Sequence, residues 1–253
     1  MPERTVSNSL ATPMHAALAG RQDQLSAAAA ALTDPRYRGA AVVAPAGMGK
    51  TALLRAVMAA EQARFRFFPL AAGAAAGMGV PFAALTPMLS YLPAGGPPTA
   101  ADVLRTVEAF IGAAAPARRR PVVVVDDADE LDGGSASVIA RLAAAGTVRL
   151  LVSVRPGAGS HSGAAALIRD GLLREIGLAP LSGDERDELC RTVLGATVIS
   201  SSVRALGEAS GGNPRLLGLL LQEARDTGSL VPRNGTWLLA EEPRRAARPC
   251  WTP

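Results

Sequence analysis

The chain has 253 residues, 49% of them hydrophobic but only 4% aromatic, which allows one large α/β domain, alone or with a small appendage, and a core of Ala, Val and Leu. Its net charge of +4 at pH 7 is carried almost wholly by arginine, spread along the chain as a compositional bias rather than a nucleic-acid footprint; Arg118–Arg120 reads as a solvated strand entry and Arg244, Arg245 and Arg248 as tail. Cys190 and Cys250 stand without partners at metal or redox spacing, the N-terminus lacks the apolar stretch of a signal peptide and Ala27–Ala31 is too short to span a bilayer, so a cytoplasmic chain with no membrane contact and no disulfide framework is expected.

Residues 1–15 read as a flexible lead. Gln24, Leu25 and the alanine run after them place a helix entry and helix within Ala16–Leu32, which Asp34-Pro35 ends. Gly39–Ala44, with Val42 and Val43 at its centre, is an apolar run bounded by glycines and suits a buried parallel strand. Leu53, Leu54, Val57 and Met58 recur at helical spacing, predicting a helix from Thr51 to about Arg64; Phe65–Leu70 is a second strand. The Gly, Ala and Pro-rich stretch Ala71–Thr99 carries a helical pattern at Phe82–Leu92. Val103, Leu104, Val107 and Phe110 share one face of a helix over Asp102–Ile111. Val122–Val125 and Val148–Val154 are β-branched strand runs separated by a helix over Ser135–Ala145. Such alternation indicates an α/β fold, a parallel sheet flanked by helices.

From Leu181 the texture changes. Ser182 and Glu185 form a capping box for a helix running through Leu189, Val193 and Leu194 to Gly195. Helices over Ser200–Ala209 and Arg215–Ala224 follow, interrupted by Gly211-Gly212-Asn213-Pro214. Leu230-Val231 and Trp237–Leu239, joined across Asn234-Gly235, read as a β-hairpin.

The segment Ala44-Pro45-Ala46-Gly47-Met48-Gly49-Lys50-Thr51 matches the phosphate-loop pattern GxxxxGK(S/T), with alanine at its first position. Gly47 and Gly49 let successive N–H groups turn toward a β-phosphate, and the following helix adds the positive end of its dipole. Lys50 supplies a point charge between β- and γ-phosphates, and the Thr51 hydroxyl is positioned for Mg²⁺. Lys50 is the only lysine in the chain, as though a forked guanidinium would not serve here.

Val122-Val123-Val124-Val125-Asp126-Asp127 is an apolar strand ending in acids. Alone it suits a helix cap or a solvated turn, the more so beside Asp129, Glu130 and Asp132. Behind a phosphate loop, Asp126 becomes the candidate for the Mg²⁺ shell and Asp127 the candidate for orienting or deprotonating an attacking water. Arg155, at the end of the Val148–Val154 strand, either faces a γ-phosphate at the carboxyl edge of the sheet or caps a loop. His15 and His161 have no metal-like companions and read as surface residues.

Together these pieces resemble the signal-transducing NTPases of the STAND class, among AAA-like P-loop ATPases, and above all the N-terminal ATPase module of large LuxR-family transcriptional regulators. The likeness rests on Gly20-Arg21 with Leu25, Ala44–Thr51, Val122–Asp127, Arg155-Pro156, Leu181-Ser182 with Glu185, Gly211–Leu217, and the hairpin with Asn234, Gly235 and Trp237. It implies a P-loop NTPase domain (16–180), a helical lid (181–227) and a hairpin and tail that begin a winged-helix region (228–253). It further implies ATP or ADP with Mg²⁺ as ligands, Arg21 near the adenine or α-phosphate, Pro214 against the base, Arg155 as a γ-phosphate sensor, and a switch between ADP-bound closed and ATP-bound open states. Such relatives continue into a winged helix, ligand-sensing repeats and a DNA-binding helix-turn-helix. This chain ends soon after the hairpin, so DNA contact is expected only through domains it lacks, and a fragment, a truncated product and a stand-alone protein all remain open.

The first expectation is an ATP-dependent regulatory switch with slow hydrolysis, with self-association or downstream regulatory domains as partners. A P-loop kinase is a second reading, opposed by the want of an arginine-rich acceptor lid. A scaffold that holds nucleotide without turnover is a third.

Overall fold

The computed structural model describes residues 20–72, 80–89, 98–116, 118–157 and 163–240. The expectations for the lead, residues 90–92, His15, His161, Cys250 and the C-terminal arginines lie outside them. Among the described residues two compact units emerge: one of Asp23–Ala46 and Lys50–Leu178, the other of residues 20–22, Gly47–Gly49 and residues 179–240.

The larger unit is an α/β layer structure. Its strands β1 (Gly39–Val43), β2 (Phe65–Ala71), β3 (Arg120–Asp126), β4 (Arg149–Val154) and β5 (Leu173–Gly177) alternate with helices α1 (Gln22–Thr33), α2 (Lys50–Glu61), α3 (Ala100–Ala114), α4 (Gly133–Ala144) and α5 (Gly163–Arg169). The strands form one parallel sheet in the order β2-β3-β4-β1-β5. Helices cover a parallel sheet on its faces, so its inner strands read as unbroken apolar runs. Val122 to Val125 and Leu150 to Val154 are accordingly all buried. Val103, Val107 and Ile111 of α3 join Phe68, Val123 and Val125 in one core with Leu142 and Val152.

The elements differ from the sequence expectation where apolar periodicity is thin. Helix α1 begins only at Gln22, since Gly20 adopts a left-handed conformation (φ +67°). The Phe82–Leu92 pattern yields one 3-10 turn, Ala83–Met88, with Pro87 inside it. Strand β5 and helix α5 were not anticipated: Leu173-Arg174-Glu175-Ile176-Gly177 buries Leu173 and Ile176, a spacing of three that hides the period of two. No helix among the described residues is long and apolar enough to cross a membrane.

The smaller unit holds α6 (Gly183–Leu194), β6 (Thr197–Val198), α7 (Ser200–Ser210), α8 (Pro214–Asp226), β7 (Leu230–Arg233) and β8 (Thr236–Leu239). Ser182 and Glu185 make a reciprocal capping box on α6; Asn213 caps α8, with Pro214 at its first turn, where a missing N–H costs nothing. Leu189, Leu206, Leu217 and Leu221 form its core. The Asn234-Gly235 turn has positive φ at both residues, +50° and +76°, as a two-residue hairpin of matching twist requires. Strand β6, only two residues long, gave no sequence signal; it extends this hairpin into a three-stranded sheet.

Gly39 opens β1 at φ +151°, and a Cβ there would collide with the Leu150 backbone in β4. Gly39→Ala is therefore expected to lower the unfolding free energy by about 2–4 kcal/mol. A urea midpoint indistinguishable from wild type would contradict this.

Candidate functional site

Strand β1 ends beside β4, with Val43 opposite Val154, and the Ala44 N–H still donates to Val154 O at 3.3 Å. The Ala44 methyl is buried, so alanine serves as well as glycine while the chain remains extended. Beyond it Gly47 (φ +81°) and Gly49 (φ +96°) take left-handed backbone, which glycine reaches without a Cβ penalty. The N–H groups of Gly47, Met48 and Gly49 donate no hydrogen bond among the described residues, and Met48 is buried. Helix α2 starts at Lys50, so its first amides are also without intrahelical acceptors. Amides left without partners seek an acceptor, and an anion with several oxygens fits them.

Within the larger unit four expected residues come together. Lys50, 7% exposed, donates from Nζ to Ala44 O at 3.1 Å and Pro45 O at 3.4 Å and lies 3.8 Å from Asp127 Oδ1. Thr51 Oγ1 donates to Asp126 Oδ2 at 2.6 Å. The other Asp126 oxygen accepts from Ser153 Oγ at 2.6 Å, and Ser153 Oγ in turn accepts from the Asp127 N–H at 2.8 Å. One carboxylate thus ties the first turn of α2 to β3 and β4. Asp127 has left-handed backbone (φ 50°), which turns its side chain out of the strand course toward Lys50. Burial pushes the Asp127 carboxyl up, as do the Asp126 and Asp129 charges, while Lys50 and Arg155 oppose this.

Arg155 is drawn to the turn after β3. Its Nε donates to Asp129 Oδ2 at 2.8 Å, its backbone N–H to Asp129 Oδ1 at 3.4 Å, and its second guanidinium nitrogen pairs with Glu130. The Asp129 and Glu130 carboxylates favour its charged form and raise its pKa. Asp132 serves as the N-cap of α4, accepting from the amides of Ser135, Phe82 and Ala84.

Two expected residues belong to the smaller unit. Arg21, 3% exposed, donates to Ala179 O at 2.6 Å, and its Nε has no partner; burial lowers its pKa, with Glu185 pulling the other way. Pro214 is buried at the start of α8, where the Arg215 N–H donates to Gly47 O at 3.3 Å. Ser153 was not expected as a site residue. Its signal in the sequence is a lone hydroxyl inside the otherwise apolar run Leu150–Val154, fully buried in the fold.

A five-stranded parallel sheet with helices on its faces, a glycine loop after β1 and an acid at the end of β3 define a P-loop NTPase of α/β class. Residues 17–154 match the model of the AAA ATPase domain, and the chain belongs to that family. Similar solved structures include Cdc6p from Pyrobaculum aerophilum (18% identity, TM-score 0.59, covering 83% of this chain and 63% of that one). The Aeropyrum pernix Orc1 protein, solved in complex with DNA, matches at 18% identity and TM-score 0.55, covering 83% and 61%. RuvB, the Holliday junction branch migration motor of Thermotoga maritima, matches at 15% identity and TM-score 0.52, covering 83% and 63%. At such identities the likeness is one of fold, and the chain spans less than two thirds of each of these structures. No curated protein matches the chain.

Two outcomes follow from the carboxylate cluster. Ser153→Ala leaves the Asp127 amide and one Asp126 oxygen without their partner, and a stability loss of about 1–3 kcal/mol is expected; an unchanged urea midpoint would contradict it. The second concerns Asp127, whose folded pKa is raised. Its favourable contribution is complete below the ordinary aspartate pKa and is lost as pH rises through the folded value. Asp127→Asn should therefore melt above wild type at pH 7, with the gain shrinking toward pH 3; a gain that grows on acidification would reverse the sign.

Proposed function

We propose that the chain binds ATP with Mg²⁺ and acts as a slow, nucleotide-dependent switch: the ATPase part of a LuxR-type transcriptional regulator of the STAND class. The observation that carries the nucleotide reading is the meeting of Thr51 with Asp126 and of Lys50 with Asp127 at the end of β3. The amides and the start of α2 would hold the β-phosphate. Lys50, fixed by two carbonyls, would exchange its approach to Asp127 for the γ-phosphate. Thr51 and Asp126 offer two oxygens 2.6 Å apart, a partial shell that suits a magnesium ion keeping waters and phosphate oxygens. When bound, that ion neutralises charge on the transferred phosphoryl group. Asp127, its pKa raised, is suited to accept a proton from an attacking water.

Arg155 fits a γ-phosphate sensor if its guanidinium leaves Asp129 and Glu130 for the phosphate, a swap of one anionic partner for another. Arg21, with an unpartnered Nε, and Pro214 are proposed to contact the nucleotide from the smaller unit, whose helices would act as the lid. Self-association and downstream regulatory domains are the proposed partners, sequence-specific DNA contact being made through such domains.

Lys50→Ala is expected to weaken ATP binding by about a hundredfold or more by calorimetry, while Asp127→Asn binds normally and releases phosphate more slowly. Equal affinity in wild type and Lys50→Ala would sink the assignment. With labelled ATP, transfer to a small acceptor would favour a kinase, and retention of intact ATP a scaffold.

A further inference from the structure

A parallel sheet starts all its strands at one edge, so residues far apart in sequence gather there. In this sheet each strand start carries arginine: Arg38 just before β1, Arg64 before β2, Arg120 at β3, Arg149 at β4 and Arg174 in β5. The registers align them, with Arg120 opposite Phe65, Arg149 opposite Val122, and Gly39 opposite both Leu150 and Leu173. At about 4.8 Å per strand the row is roughly 19 Å long. It occupies the edge opposite Asp126 and Ser153, which lie at strand ends. The arginines that are scattered along the sequence therefore form a spatial line, because strand entry recurs at one end of the sheet.

Some of this charge serves the fold. Arg149 donates to the carbonyls of Asp34, at 3.0 Å, and of Tyr37, and Arg64 pairs with Glu61 at 3.4 Å. The rest is not neutralised. Burial lowers the Arg149 pKa and the neighbouring Arg120 and Arg38 charges lower it further, so the row repels itself. Asp34, the acid facing it, is already held by Arg36, and its carboxyl is drawn down to about 2, first by that hydrogen bond and in part by Arg174. Arg118, Arg119 and Arg120 are exposed and have no ion pair among the described residues.

We propose that this arginine edge binds the phosphodiester backbone of nucleic acid without reading its sequence. Guanidinium forks match phosphate oxygens in pairs. Duplex DNA presents one charge per roughly 1.7 Å of its axis, so a row of about 19 Å faces on the order of ten phosphates. A protein partner would want an apolar anchor and a membrane surface an inserting side chain. The large hydrophobics exposed among the described residues are Val80, Ile199 and Leu219, none of them in a segment leading into a strand. The proposal is independent of nucleotide binding, since no phosphate-loop residue takes part.

The test is fluorescence anisotropy of the full chain with a labelled 20-base-pair duplex of arbitrary sequence. Binding is expected at 50 mM salt, with affinity falling steeply as salt rises. Arg119→Glu with Arg120→Glu should weaken it by about tenfold or more, and Arg174→Glu, on another strand, should also weaken it. The equal charge change Arg204→Glu with Arg225→Glu, on α7 and α8, should not match that loss. Wild-type circular dichroism and melting show that each variant folds. No binding at 50 mM salt, equal loss in the control variant, or binding of polyglutamate or phosphatidylserine vesicles but not of the duplex would overturn the proposal.

Discussion

One carboxylate holds the site together. Asp126 accepts from Thr51 with one oxygen and from Ser153 with the other, each at 2.6 Å, so the end of β3, the middle of the carboxyl edge of β4 and the first turn of α2 are pinned to a common point. The sheet order makes this possible. Because β4 lies between β1 and β3, the loop that follows β1 and the acid that ends β3 stand a full strand apart, and Thr51 reaches across to Asp126. Ser153 on the intervening strand steadies the same carboxylate, and the two flanking valines, Val152 and Val154, point the opposite way into the core. A polar group so deep is stable only when each lone pair and proton is used, and here the hydroxyl both donates and accepts.

The second constraint is charge. Lys50 is buried, and two main-chain carbonyls and the more distant Asp127 share its ammonium group. Arg155 is likewise committed to Asp129 and Glu130. Both cations therefore stand with anionic groups within a few ångströms.

The sequence made the centre of the sheet and its glycine loop readable because the signals there are short-range. Four successive valines specify a strand buried on both faces, and Gly47, Gly49, Lys50 and Thr51 occupy fixed offsets. Asn234-Gly235 likewise declares its turn through the positive φ both residues must adopt. Other features are products of topology. Ser153 looks like a stray hydroxyl until β4 is known to lie between β1 and β3. Strand β5 buries residues three apart and has a neighbour on one side only, and β6 is too short for any periodicity. The partners of Arg155 and the line formed by Arg38, Arg120, Arg149 and Arg174 appear only when parallel strands bring distant segments to one edge.

The central claim is that the amides from Gly47 to Thr51 close around a polyphosphate, and amide hydrogen exchange reads those groups directly. Saturating ATP with Mg²⁺ is expected to slow exchange across Gly47–Thr51 while leaving the strand starts at Arg120 and Arg149 unchanged. Exchange in the loop that stays at its ligand-free rate at saturating nucleotide would contradict the claim.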